Sequence, residues 1–205
     1  MRNHNGMTNG TGRKARRHQE VVHLTPEEKV CFLKLLDQRK DAERASLMYH
    51  LMLGTGLRLS EATGLNVSDV EGKEYLEVIG KGDKHRRIYL TLDLRKRVAH
   101  FLRWKKTQKE PMTPDAPLFL SRNDRRISNR QVQRDLSKWL TEAGISAHYT
   151  PHTLRHTVGT ELVAKTGNPR VAQRVLGHSD VGVTMRFYVG VSDDQVKEAL
   201  EAVSA

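Results

Sequence analysis

Signals that start helices recur along this 205-residue chain and constrain its fold more than any other feature. The segment 25–28 reads Thr-Pro-Glu-Glu, which offers an N-cap hydroxyl, a proline at the first helical position and a glutamate that can complete a capping box. Similar starts, a hydroxyl followed by proline or by glutamine three positions later, occur at Ser128, Thr150 and Ser192. We therefore predict helices over about 25–37, 42–53, 93–107, 128–144, 150–167, 169–177 and 193–203.

One region departs from the helical pattern. Two strand-like runs, 75–79 and 86–90, flank the polar, glycine-containing segment 80–85, which indicates an antiparallel hairpin with a basic tip. A further short strand is predicted at 118–121, after a proline-rich loop. The predicted fold class is therefore α+β, mainly helical with a small antiparallel sheet. Residues 1–22 lack apolar periodicity and are predicted to form a flexible basic arm.

The charge balance favours a polyanionic partner. The 35 lysines and arginines exceed the 24 acidic residues and give a formal charge of +11. Because only 5% of residues are aromatic, duplex phosphate contacts are favoured over base stacking on single strands. No apolar run reaches the length of a membrane span and no signal-peptide pattern begins the chain, so we expect a cytoplasmic protein without a membrane partner. A single cysteine, Cys31, indicates neither disulfide nor zinc cluster, and we expect no metal and no cofactor.

A candidate anion site lies at the start of the helix predicted over 150–167. A spacing of three puts His152 and Arg155 on one helical face, near the positive end of the helix dipole. Imidazole, guanidinium and free backbone N–H groups together suit a phosphate oxyanion. The alternative to an anion site is that His152 caps or packs locally and that Arg155 is a surface charge. His152 and His156 are four apart, as zinc ligands can be, but the intervening glutamate of the H-E-x-x-H pattern is missing.

Other segments extend this pair into an ordered series of motifs. They are GLRLSE at 56–61, GKG at 80–82, HTLRH at 152–156, LGHS at 176–179, and Tyr188. Together they resemble the tyrosine recombinase and phage integrase family, over about residues 22–205. The resemblance implies the tyrosine recombinase catalytic-domain fold for 23–205. No amino-terminal DNA-binding domain is evident, which fits either a fragment of a longer recombinase or a single-domain relative.

The resemblance also implies an active site and a reaction. Tyr188 is the expected nucleophile in metal- and ATP-independent DNA cleavage and rejoining, by way of a 3′-phosphotyrosine. Glu61 is expected to support the site. The remaining expected catalytic residues are Arg58, Lys81, His152, Arg155 and His178.

The implied partner is double-stranded DNA, bound by a tetramer on two paired sites, with a monomer free in solution. Charge and position predict further DNA contacts at the hairpin residues Lys84 and Arg86 and at the arm residues Arg13, Lys14, Arg16 and Arg17. Two other functions stay open at this point. They are DNA relaxation of the type IB topoisomerase kind and DNA binding without catalysis by a regulator.

Overall fold

The computed structural model of this protein describes residues 22–79, 85–145 and 148–177. The described part is mainly helical with one two-stranded antiparallel sheet, as predicted. The helices and strands, in chain order, are α1 (Pro26–Gln38), α2 (Glu43–Thr55), α3 (Leu59–Gly64), β1 (Tyr75–Ile79), β2 (His85–Tyr89), α4 (Leu92–Thr107), α5 (Asn129–Glu142), α6 (Pro151–Thr166) and α7 (Pro169–Leu176). The helix predicted over 193–203 and the arm predicted over 1–22, apart from residue 22, lie outside the described residues.

Three of the predicted helix starts, at Thr25, Ser128 and Thr150, are confirmed by individual hydrogen bonds, and the start predicted at Ser192 lies outside the described residues. The Thr25 hydroxyl accepts the Glu28 N–H, and the Glu28 carboxylate accepts the Thr25 N–H at 2.8 Å, which completes the capping box of α1. The Ser128 hydroxyl caps α5, and the Thr150 hydroxyl caps α6. Each cap satisfies a backbone donor that the helix leaves unpaired, so these polar residues fix where the helices begin.

The strand predicted at 118–121 is wrong. This segment forms only a one-residue bridge between Leu120 and Arg126, while the neighbouring Pro117 bridges to Asn66. The Leu118 N–H donates to the Leu65 carbonyl just beyond α3, so the segment crosses the end of that helix and does not pair along a second strand. Leu118, Phe119 and Leu120 are buried, but an apolar buried segment does not require a partner strand.

The core is built around α2, whose residues 47–53 are all buried. Helices α1, α4 and α6 pack against it, which explains why this helix is apolar on nearly every side. A smaller apolar cluster joins α6 to α7 through Val158 and Leu176. Gly56 ends α2 with a φ of 69°, and a Cβ there would clash with the Leu176 side chain. The backbone after α2 therefore lies directly against α7.

The longest described helices, α4 and α6, have 16 residues each. A helix that crosses a bilayer needs about 20 predominantly apolar residues. Across the three described ranges, no helix combines the length and the apolar character for a membrane crossing.

Candidate active site

Three segments bring ionisable side chains to one place. Arg58 precedes α3 and Glu61 lies in its first turn, Arg86 comes from β2, and His152 and Arg155 come from the first turns of α6. We call these five residues the arginine cluster. Arg58 acts electrostatically on both His152 and Arg155, although about a hundred residues of chain separate them. Arg58 comes close to α6 because the backbone that follows α2 packs tightly against α6 and α7.

Glu61 is held between two guanidiniums. Arg86 donates from both of its Nη atoms to the two carboxylate oxygens, at 2.9 and 2.7 Å. Arg58 donates from Nη1 to Oε1 at 2.9 Å and from its backbone N–H to Oε2 at 2.7 Å. Burial acts to raise the pKa of the Glu61 carboxyl, but these hydrogen bonds and charges bring that pKa below its ordinary value. Glu61 is therefore an ionised carboxylate with a fixed plane.

Arg155 has no such carboxylate partner in hydrogen-bond contact within the described residues. Its side chain is buried, with the residue 2% exposed. Nη1 donates to the Gly56 carbonyl at 2.6 Å, and Nη2 donates to the Leu176 carbonyl. Burial, with the nearby charges of Arg58 and Arg86, lowers the pKa of Arg155 to about 9, which leaves it protonated at neutral pH. The arginine cluster thus holds three guanidiniums and one carboxylate, an excess of positive charge that favours an anion.

His152 is a neutral imidazole beside these cations. Burial lowers its pKa from the ordinary value, and the charges of Arg155 and Arg58 lower it further. The ring centroids of His152 and His156 are 4.3 Å apart, and the pKa of His156 is lowered to about 4 by burial and by His152. Because the Thr150 hydroxyl caps α6, His152 is not the cap of that helix. A neutral imidazole can accept a proton from a reacting hydroxyl.

In the described part of the chain, no three His, Cys, Asp or Glu residues are grouped so that they could hold a metal ion. Several predicted residues lie outside that part. They are the nucleophile Tyr188, with Lys81, Lys84, His178 and the arm residues Arg13, Lys14, Arg16 and Arg17. The described neighbour of His178 is Gly177, which ends α7 beside the Arg86 side chain.

Arg86 was predicted to contact DNA from the hairpin, yet its side chain is only 10% exposed and is engaged by Glu61. Sequence reasoning missed this ion pair because the partner lies 25 residues earlier, beyond any local pattern. The signal that could have placed Arg86 is strand alternation. Arg86 shares a face of β2 with the buried Ile88, whereas Arg87 points to the exposed face.

Two solved recombinase structures have the same architecture as this chain. XerA recombinase is 26% identical and superposes with a TM-score of 0.73, over 90% of this chain and 65% of that one. XerH site-specific recombinase, bound to its difH substrate in a pre-cleavage complex, is 21% identical with a TM-score of 0.76, over 89% of this chain and 55% of that one. The fold is therefore that of the tyrosine recombinase catalytic domain.

Sequence relatives point to the same class. Tyrosine recombinase XerC of Caldanaerobacter subterraneus subsp. tengcongensis is 38% identical over 182 residues, which cover 87% of this chain and 50% of that protein. The chain spans about half the length of the curated relatives it matches. The sequence model of the Phage integrase family matches residues 23–195. The chain belongs to the phage integrase family.

Proposed function

We propose that this chain is the catalytic domain of a site-specific recombinase that cleaves and rejoins DNA through a covalent 3′-phosphotyrosine at Tyr188. The observation that supports the proposal most strongly is the arginine cluster, in which Arg58 and the buried Arg155 meet beside the neutral His152. Family membership supports the same chemistry. Because Arg155 is a buried cation among other cations, an anion at this position would stabilise it.

A phosphodiester under attack passes through a five-coordinate state whose nonbridging oxygens gain negative charge. Two guanidiniums can hold these oxygens by paired hydrogen bonds without a metal ion. Arg58 and Arg155 supply that clamp in the proposal, and His178 supplies a further donor. Each donor aimed at the developing charge contributes about 2.7–4 kcal/mol to the barrier reduction, so the clamp accounts for a large part of the rate.

Proton movements complete the step. The Tyr188 phenol attacks phosphorus, a new oxygen–phosphorus bond forms, and the phenolic proton passes to His152. The bond from phosphorus to the 5′ oxygen breaks, and Lys81 protonates the departing oxygen. The phosphotyrosine retains the energy of the broken bond, so a 5′-hydroxyl can reverse the step without ATP. Neither direction requires a cofactor.

Double-stranded DNA is the proposed partner. The formal charge of +11 supports phosphate binding. The related XerH structure contains a DNA substrate. In the proposal the protein is a monomer in solution and a tetramer on two paired sites, with phosphate contacts from Lys84 and the arm residues Arg13, Lys14, Arg16 and Arg17. The same active site would serve integration, excision, inversion or resolution.

A trapped intermediate tests the proposal. The full chain is incubated with nicked duplexes made from the DNA that flanks its gene, because loss of a short nicked fragment prevents rejoining. We expect a covalent adduct, formed equally in EDTA and without ATP, and mass spectrometry should place the DNA on Tyr188. Tyr188→Phe should give no adduct, because phenylalanine has no hydroxyl.

The matched control is Tyr89→Phe, which removes a hydroxyl from a tyrosine that is 53% exposed on β2. This variant should form the adduct like the unaltered protein. An adduct that persists in Tyr188→Phe would refute the assigned nucleophile. Relaxation of a supercoiled plasmid that lacks the trapped site would instead favour a topoisomerase, and binding of the flanking DNA with no adduct would favour a regulator.

A further inference from the structure

Arg86 stands where three segments of the fold meet. It belongs to β2, its guanidinium binds the Glu61 carboxylate of α3, and its side chain lies against Gly177 at the end of α7. A Cβ placed on Gly177 would come within 2.8 Å of Arg86 Cδ and 3.3 Å of Arg86 Nε. Glycine at this position therefore lets the guanidinium lie against the backbone.

Exposure separates the two guanidiniums that hold Glu61. The Arg58 side chain is 37% exposed, whereas the side chains of Arg86 and Glu61 are 10% and 9% exposed. Arg58 is thus the outer cation that a phosphate can reach, and Arg86 lies behind the carboxylate. Arg86 donates to both oxygens of Glu61 and so fixes the plane of this carboxylate. The same carboxylate accepts two N–H groups of Arg58, one from the backbone and one from the guanidinium.

We infer that Arg86 is a positioning residue: through Glu61 it orients the Arg58 guanidinium toward the scissile phosphate. This inference rests on the proposed function, since it assigns Arg86 a part in that reaction without contact to DNA. A lysine at position 86 would keep the charge but lose the planar fork that engages both oxygens of Glu61. Arg58 would then sample orientations that do not fit the phosphate, and a misplacement of about 1 Å can cost about 100-fold in rate.

Two other roles for Arg86 make different predictions. A direct phosphate contact would weaken DNA binding in Arg86→Lys and reduce its dependence on salt. A purely structural role would lower the free energy of unfolding and leave the rate of the folded protein unchanged. A positioning role slows adduct formation at saturating DNA, leaves affinity and its salt dependence unchanged, and acts only while Arg58 is present.

The first experiment measures single-turnover adduct formation by the full chain on the nicked flanking duplex, with DNA affinity measured over a series of KCl concentrations. We expect Arg86→Lys to form the adduct about 10- to 100-fold more slowly, with affinity within about twofold of the unaltered protein. Arg87→Lys is the matched control, because Arg87 neighbours Arg86 on β2 but is 74% exposed and pairs with Glu77. Its rate should stay within about twofold.

The second experiment is a double-mutant cycle with Arg58→Lys. If Arg86 acts through Arg58, adding Arg86→Lys to Arg58→Lys should slow the reaction by less than about threefold. Independent multiplication of the two single effects would overturn the inference. So would an Arg86→Lys rate equal to that of the unaltered protein, or a loss of affinity that matches the loss of rate.

A third readout separates failure of the inference from failure of the proposed function. Nitrogen-15 NMR reports the rotation of the Arg58 guanidinium about its Nε–Cζ bond in the free protein. We expect restricted rotation in the unaltered protein and faster rotation in Arg86→Lys but not in Arg87→Lys. Absence of any adduct from the unaltered protein would refute the proposed function alone, whereas unchanged Arg58 rotation in Arg86→Lys would refute the inference alone.

Discussion

Two buried ionic networks in this protein have nearly the same plan. In one, Glu110 beyond α4 lies between Lys105 and Arg44, with Lys105 Nζ 2.8 Å from Glu110 Oε2. In the other, Glu61 lies between Arg86 and Arg58. Each has a buried carboxylate at its centre, and the outer cations, Arg44 and Arg58, are similarly exposed, at 36% and 37%.

The difference between the networks is Arg155. The Glu61 network adds this buried third guanidinium, which makes hydrogen bonds only to carbonyl oxygens within the described residues. The Glu110 network has no described counterpart to it, and Arg44 instead covers the Trp104 ring, 4.9 Å from its centroid. Burying an extra cation costs free energy that folding alone does not require. The excess charge therefore supports the proposed chemistry in the arginine cluster, whereas we expect the Glu110 network to contribute to stability alone.

We expect the largest effect on the rate of adduct formation from a substitution of Arg155 in the arginine cluster. Arg155→Lys keeps a cation but removes the planar guanidinium with its paired N–H donors. The rate of adduct formation should therefore fall about 10²- to 10³-fold, as expected for a lost oxyanion donor. The free energy of unfolding, measured in urea, should change much less than the activation free energy. A rate within about threefold of the unaltered protein would show that Arg155 does not hold the phosphate.

A substitution in the Glu110 network should lower the stability of the protein and leave the adduct rate unchanged. Lys105→Met removes a fully buried cation and leaves Glu110 with Arg44 alone. We expect the free energy of unfolding to fall by about 3 kcal/mol, because breaking a buried pair leaves a charge poorly compensated. The adduct rate per folded molecule should be unchanged. Equal losses of stability and rate would remove the distinction between the two networks.

The smallest expected effect is on the pH dependence of stability near the arginine cluster. Burial and the neighbouring His152 lower the pKa of His156 from 6.5 to about 4. The unfolded chain therefore binds a proton at His156 that the folded protein excludes, so stability is full above pH 6.5 and falls as the pH drops toward about 4.

Replacing His156 tests the direction of this pH dependence of stability. In His156→Gln, urea midpoints measured between pH 7.5 and 4.5 should fall less steeply with decreasing pH than in the unaltered protein. A steeper fall in His156→Gln would contradict the assigned direction of the pKa shift.

Local signals predicted most of the described fold. The N-caps at Thr25, Ser128 and Thr150 fixed helix starts because a hydroxyl and a backbone N–H two or three positions later are set by chain geometry alone. The hairpin was predicted to within one residue because two β-prone runs flank a glycine-rich connection. By contrast, α3 was not predicted, because its six residues are too few for hydrophobic periodicity to reveal a helix.

The sequence motifs predicted site residues but not the contacts among them, and Lys81, His178 and Tyr188 lie outside the described residues. The motifs named Arg58, Glu61, His152 and Arg155, and the structure brings these four together. The pairing of Arg86 with Glu61 depends on how β2 packs beside α3, which no spacing along the chain encodes. The expectation that Arg155 could be a surface charge also failed, because long-range packing of α6 against α2 and α7 buries it.

The most direct test of the clamp removes the charge that it is proposed to neutralise. A nicked duplex with a methylphosphonate at the scissile position replaces one negatively charged nonbridging oxygen by a neutral methyl group. On the ordinary phosphodiester we expect Arg58→Ala to slow adduct formation about 100-fold or more, and on the methylphosphonate by less than about threefold. An equal loss on both substrates would show that Arg58 does not neutralise the phosphate.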